Sequence, residues 1–352
     1  MAKATVLTVD TSPSAFQDYM HRMGFTDGLP VVPPTEDLVA EMIAASGLSA
    51  EQVIAPVAPS EADATVEKVA ANAVMAGCKP EYMPVIVAAL KAIGNPTWNC
   101  AAVQGTTHPC APLVFVNGPI RRQIGINSGS NVFGQGFRAN ATIGRAIRLV
   151  LMNIGNGLPG KTDMATFGSP AKFSYCAGEN EEESPWEPYH VEHGMKAEDS
   201  AVTLHAGEAP HNVQDHGSNV WKDLLLTVAD TINITGHNNI GLCGELMVVF
   251  GPEHAGILAK GGLSKEDVRQ ELHKMLRFRF DRMGSRLRDW YRNHRPSTDV
   301  GPEIEDFPFF DSADQILIMV AGGPGLHSMV IPSVGALSFS TRERVVLPGH
   351  AV

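Results

Sequence analysis

The sequence predicts an α/β fold made of two pseudo-repeated halves around a shared cleft, with an extended, proline-rich N-terminal arm. Three observations carry this. First, Cys110-Ala-Pro-Leu-Val-Phe-Val-Asn-Gly118-Pro119 and Cys243-Gly-Glu-Leu-Met-Val-Val-Phe-Gly251-Pro252 share Cys-x-x-Leu, an apolar run and Gly-Pro at one spacing. Such a run bounded by Gly-Pro reads as a buried strand closed by a sharp turn. Second, each copy leads through helical stretches to another strand with Ala-Gly at its tip, Ala177-Gly178 and Ala321-Gly322. Third, Asp27-Gly-Leu-Pro-Val-Val-Pro-Pro-Thr35 cannot be helical, because its prolines fix φ and remove donors. It reads as an extended strip over an apolar surface. The expected division is an arm with cover helices over 1–60, a first half over 61–200 and a second over 201–352.

Elements follow in order. Ser14 to Met23 reads as a helix, and Thr35 as the cap of another running to about Ser46. Ser49-Ala-Glu-Gln reads as a capped start, and Val53 to Val57 as a strand. Val66, Val69, Ala70, Ala73 and Val74 fall on one helical face over Thr65 to Met75, with Gly77 as the stop. A second apolar helix spans Val85 to Ile93. The loop Asn127 to Gly136 leads into a helix of about four turns from Arg138. Ala201 to His205 reads as a strand and Val220 to Thr231 as a helix. Ser264-Lys-Glu-Asp267 resembles a capping box for a helix reaching about Arg279. Residues 281–312 read as a peripheral excursion.

Bulk composition narrows the function. The 352 residues are 44% hydrophobic and 18% charged, ordinary for a soluble globular protein. A net charge of −11 argues against non-specific binding to nucleic acid or to an anionic membrane surface. No stretch is long and apolar enough to span a bilayer, and the first ten residues lack a signal-peptide core. A cytoplasmic protein is expected. The five cysteines are widely spaced, which argues against a disulfide framework.

Candidate chemistry gathers at the strand tips, where ligands of open α/β sheets collect. Aligning the Gly-Pro pairs sets Arg121 opposite His254, with Glu253 beside it. The functional reading has Arg121 holding an anion while Glu253 and His254 move protons; the alternative is helix capping. The loop 127–140, including Asn131, Asn140 and Thr142, offers backbone and side-chain donors to a carboxylate or phosphate, and Arg138 adds charge. No P-loop or dinucleotide fingerprint is present there. Cys110 and Cys243 read as structural. Cys176, at a strand end beside Glu179, is a candidate nucleophile or ligand. His211, Asp215 and His216 have a spacing open to a divalent metal, with His205 as a third imidazole, or to simple helix capping. His108 and His327 are placed for acid–base or substrate contacts. In Glu179-Asn-Glu-Glu-Glu183, Glu179 and one of Glu181 or Glu182 are expected to point inwards.

Gly28-Leu-Pro-Val-Val-Pro-Pro-Thr-Glu36, Val66 to Cys78, Arg138-Ala-Asn-Ala-Thr-Ile-Gly-Arg145 and Glu179 to Pro188 resemble a bacterial family labelled UGSC-type selenoproteins or thioredoxin-reductase-like. The resemblance covers most of the chain. No Cys-Gly-Ser-Cys is present, so no selenol or thiol motif carries over to any residue. The resemblance implies a stand-alone bacterial enzyme and no particular reaction. The leading expectation is a hydrolase or lyase acting on a small anionic molecule. A thiol-redox protein and a non-catalytic binder of small acids are the alternatives. The cofactor is open, with a divalent metal as one option. The proline-rich arm suits wrapping of a neighbouring subunit, which points to a homodimer.

Overall fold

The computed structural model describes residues 7–10, 12–294 and 306–349. The chain forms a mixed α/β structure. Near its start lie α1 (Pro13–Arg22) and α2 (Glu36–Ser46). The Thr35 hydroxyl caps α2 by accepting from the Leu38 N–H, and Gly47 closes it at φ 70°. Between them the chain turns at 23–24, bends over 26–29 and then runs without regular structure to Thr35. Val31 is buried in the core there, and the Val32 N–H bonds to the Met75 carbonyl at 3.1 Å. A hairpin, β1 (Val53–Val57) and β2 (Ala62–Thr65), follows without the helix expected at Ser49. Then come α3 (Val66–Ala76), α4 (Met83–Ile93) and the short α5 (Cys100–Gln104).

Two four-stranded sheets hold most of the rest. The first contains β3 (Ala111–Asn117), β4 (Cys176–Gly178) and β5 (Ala201–Gly207). Between β3 and β4 run α6 (Ile120–Gln123) and α7 (Arg138–Asn153); α8 (Tyr189–Glu192) follows β4. The second sheet takes β6 (His211–Gln214) and, after α9 (Trp221–Ile232) and α10 (Asn238–Leu242), β7 (Leu246–Phe250). The chain continues through α11 (Pro252–Lys260), α12 (Lys265–Met275), β8 (Arg277–Arg279), α13 (Ser285–His294) and β9 (Asp306–Pro308). It ends with β10 (Ile316–Val320), β11 (His327–Pro332) and β12 (Thr341–Arg344). The helix expected to reach Arg279 stops at Met275, because Arg277 to Arg279 pair with Asp306 to Pro308 as strand β8. The centre of the charged excursion, 295–305, and the first six residues lie outside the described residues.

The strand orders are β4-β3-β5-β12 and β10-β7-β11-β6. In both, the first pair is parallel and the other two are antiparallel. The edges are exchanged: β6 follows β5 yet joins the second sheet, and β12 follows β11 yet joins the first. Register corrects one expectation. Phe115 pairs with Ala177, and its counterpart Val248 pairs with Ile318. Ala177-Gly178 therefore corresponds to Ile318-Met319, three residues short of Ala321-Gly322.

Strand alternation sorts the core into layers. Val114 and Val116 of β3 pack under α3, α4 and α7. Leu246, Val248 and Phe250 of β7 pack under α9, α11 and α12. The opposite faces, including Leu113, Phe115, Met247, Val249 and Met319, meet in one inter-sheet cluster. Helices, sheet, sheet and helices thus form four layers. The two sheets meet through packed side chains, so any space between them opens only along the edges. Among the described residues no helix is long and apolar enough to cross a membrane.

Candidate functional site

The carboxyl ends of the parallel strands meet across the seam. The Asn180 N–H donates to the Val320 carbonyl at 2.7 Å, and its side-chain amide donates to the Gly322 carbonyl at 3.1 Å. By alternation, Asn117 and Glu179 fall on the inter-sheet side, in step with Phe115 and Ala177. Both are wholly buried. The Asn117 amide donates to Glu179 Oε2 and, at 3.1 Å, to Glu181 Oε1. The Tyr189 N–H donates to Glu179 Oε2 at 2.8 Å. Glu179 Oε1 has no hydrogen bond and lies 3.6 Å from Lys265 Nζ, which comes from α12 of the other sheet.

A connected charge network surrounds this carboxylate. Arg121, 2% exposed, sets Nη2 2.7 Å from Glu181 and forks onto Glu182 at 3.2 Å twice. Burial acts to raise the Glu182 carboxyl, but the Arg121 hydrogen bond and charge outweigh it and hold it below its ordinary value. Lys265 also meets Glu192 at 3.2 Å, and Arg269 bonds the other Glu192 oxygen. Burial again acts upward on Glu192; Lys265 and Arg269 together win and lower it. His190 is wholly buried with no bond to either ring nitrogen, its Nδ1 3.9 Å from Glu181 Oε1. Asn117 Oδ1 and Arg121 Nε are likewise buried without a protein partner. Buried polar atoms are nearly always paired, so this density of bare ones marks a place built for something other than stability. Lys265 and Arg269 also line a cavity of about 720 Å³ with Trp186, Tyr189, Glu192 and Leu317.

The second sheet carries a matching recess at the tips of β7 and β10. This cavity, about 470 Å³, is walled by Ser130, Asn131, Phe133, the Gly322–Gly325 turn, His327 and Met329. Asn131, at φ 61°, turns its loop and donates to the Gln135 carbonyl at 2.8 Å. His327 Nδ1 pairs with Asn212 Oδ1 at 3.0 Å. Glu253 accepts from the Gly325 N–H at 2.8 Å, so it fastens this turn.

Other expected site residues are placed differently. His254 is wholly buried, with Nδ1 on the Ser328 hydroxyl at 2.8 Å and Nε2 on the Asp215 carbonyl at 3.1 Å. Burial lowers its pKa. Both nitrogens are taken, and Ser328 shares a strand face with Val330 of the helix-side core, so His254 joins α11 to β11 rather than moving protons. Cys176 is no nucleophile: it lies on β4, and burial drives its thiol far up. Cys78, Cys100 and Cys110 are pushed up to about 12 by the same cause. Arg138 donates to the Gly77 carbonyl at 3.0 Å and Arg145 forks onto Asp27, so both tie the fold, while Arg121 is taken up by Glu181 and Glu182. Asn140 ties the Asn127 backbone to Cys176, and the Thr142 hydroxyl bonds back to the Arg138 carbonyl at 2.8 Å; neither is aimed at a ligand.

The metal expectation is corrected too. Asp215 accepts from Gly217, Ser218 and Thr227, a turn-closing role. Burial opposes its ionisation, but those bonds outweigh it and lower its pKa to about 2. His211 is exposed on β6, while His216 pairs with Gln214 and stacks edge-on with His327, their ring centroids 5.0 Å apart. His205 is buried in the first sheet with Nδ1 on Ser340. Among the described residues no three His, Cys, Asp or Glu side chains are gathered to hold a metal ion. His108 Nε2 lies 2.7 Å from Glu208, at the opposite, amino end of β3.

Sequence reasoning missed Asn117, His190, Glu192, Lys265 and Arg269. One signal was present: Lys265 opens a helix, where a cation opposes the dipole and needs carboxylates to hold it. Comparison with protein-family models gives no match, and comparison with curated proteins gives none either.

Proposed function

We propose that the seam around Glu179 is the reaction site of a hydrolase or lyase acting on a small polar molecule. One observation carries this reading: Glu179 has one oxygen fixed by Asn117 and Tyr189 and the other free of hydrogen bonds beside Lys265. A carboxylate held that way is oriented to take up or deliver a proton. Lys265, shared between Glu179 and Glu192, connects this carboxylate to the 720 Å³ cavity. A substrate entering there would bond to Lys265 Nζ, the group of the wall that lies 3.6 Å from the buried Glu179 Oε1. His190 is the second buried group able to exchange a proton.

The site draws on both sheets, Asn117, Glu179 and His190 from one and Lys265 and Arg269 from the other. The matched strand orders support reading those sheets as two copies of one doubled unit. Charge argues for a change in substrate class. The cavity wall sets Lys265 and Arg269 against four carboxylates, Glu187, Glu192, Glu266 and Asp314. Such a wall favours an uncharged or cationic molecule over the anion that the sequence suggested. Burial of all five thiols removes the support for thiol-redox chemistry.

The test is a screen of uncharged and cationic esters, amides and hydroxy or amino compounds, with Glu179→Gln as comparison. Gln keeps an acceptor for Asn117 and Tyr189. Any compound turned over by the wild type should lose about a hundredfold or more in rate in Glu179→Gln, with little change in melting temperature. Equal rates in the two proteins would overturn the assignment. Turnover of nothing by the wild type would favour a binding protein.

A further inference from the structure

The recess at the tips of β7 and β10 contains none of the charge network. Among the described residues lining it there is no Lys, Arg, Asp or Glu; His327 is its one titratable group. Val249, Phe133 and Met329 give it an apolar wall. Ser130 and His327 also line it, and among the described residues Ser130 Oγ and His327 Nε2 have no hydrogen-bond partner.

The wall is built by loops from both sheets that touch and hydrogen-bond one another. A Cβ on Gly323 would lie 1.9 Å from Ser130 Oγ, so only glycine lets the turn after β10 touch the loop that precedes α7. The turn is fixed further by Glu253 on the Gly325 N–H and by the Gly322 N–H on the Ser128 carbonyl at 2.8 Å. Asn131 holds the other lip. A preformed recess of about 470 Å³ is ample for a ring-sized molecule, and pre-organisation lowers the cost of binding one.

We infer that this recess is a second ligand site, separate from the Glu179 centre, for an uncharged molecule with a flat apolar body and a hydrogen-bonding edge. The body packs on Phe133, Val249 and Met329; the edge meets Ser130 and His327. An ion would give up its hydration here with no Lys, Arg, Asp or Glu side chain among the lining residues to offset it.

Three probes of one shape and different charge test this: benzamide, benzoate and benzamidine. Binding is followed by the methyl resonance of Met329 in methionine-labelled protein, assigned by Met329→Leu. Benzamide should shift that resonance saturably, and benzoate and benzamidine should bind about tenfold or more weakly. Phe133→Ala should weaken benzamide by a similar factor. Phe133→Leu, which keeps an apolar wall, guards against misfolding and should retain part of the binding. Glu179→Gln should bind benzamide like the wild type, so failure of the catalytic reading leaves this result standing. No shift at Met329 overturns the site, and equal binding of the three probes overturns the ligand class.

Discussion

Arg121 and His254 occupy matched places after the two Gly-Pro turns, and each is spent on holding its own turn. Arg121 bonds Glu181 and Glu182; His254 bonds Ser328 and the Asp215 carbonyl. Arg121→Ala leaves the partly buried Glu181 carboxylate without its cation, a loss of about 3 kcal/mol, while the exposed Glu182 keeps Arg122 at 3.6 Å. His254→Ala leaves the Asp215 carbonyl unbonded, leaves the Ser328 hydroxyl only its 3.4 Å contact with the Gly251 N–H and opens a void, a comparable loss of about 3 kcal/mol. Denaturant midpoints should therefore fall in both variants; unchanged midpoints would restore the proton-moving role. The thiols give a second check. All five are buried, and none should react with an aromatic disulfide reagent in the native protein, though all should after unfolding. Fast labelling of Cys176 in the native state would refute its burial. Position was legible at this scale: the Gly-Pro alignment found Arg121 and His254, and the strand end found Glu179. Partners were not, because Lys265 lies far along the chain from Glu179.

Helices were legible where a local signal marks them. Thr35, Thr65 and Ser264 cap α2, α3 and α12 through their hydroxyls, and Gly47 and Gly77 end the first two in the left-handed region. The strands β6, β11 and β12 escaped notice. His211-Asn-Val-Gln214 is mostly polar, and its partner β11 is more than a hundred residues away, so no neighbouring residue reveals it. The central strands are buried on both faces, which hides their alternation and made a packed seam look like an open cleft. Gly118 shows how tightly the first turn is held. Its φ is 83°, and a Cβ there would lie 2.1 Å from the Asp199 carbonyl oxygen. Gly118→Ala must move backbone and should cost about 3 kcal/mol, well above a loop glycine substitution such as Gly194→Ala, whose added Cβ meets nothing within 4 Å. Equal melting shifts for the two variants would contradict the packing at Gly118.

At the scale of the molecule, the exchanged edges tie the two sheets into one cooperative body. Neither sheet is complete without a strand delivered by the other's chain, so heat should unfold both in one transition with equal calorimetric and van't Hoff enthalpies. Two resolved transitions would mean that the sheets are independent. His205 couples that exchange to pH. It projects from β5, and its Nδ1 meets the Ser340 hydroxyl at 2.9 Å, just before the exchanged strand β12. Burial lowers its pKa to about 4, and burial does the same to His237 ahead of α10, also to about 4. In the unfolded chain both return to about 6.5. Between those values the unfolded state binds more protons, so stability rises with pH across the window and is lost as pH falls from about 6.5 towards 4. Each group is worth about 3 kcal/mol over the full window. Asp215, lowered to about 2, adds its own loss only at more acid pH, between its ordinary value and 2. Unfolding free energy measured at pH 7.5 and pH 5 should therefore drop in the wild type, and less in His205→Gln, which cannot take up the proton. A wild-type protein equally stable at both pH values would show that these imidazoles are not held neutral in the fold.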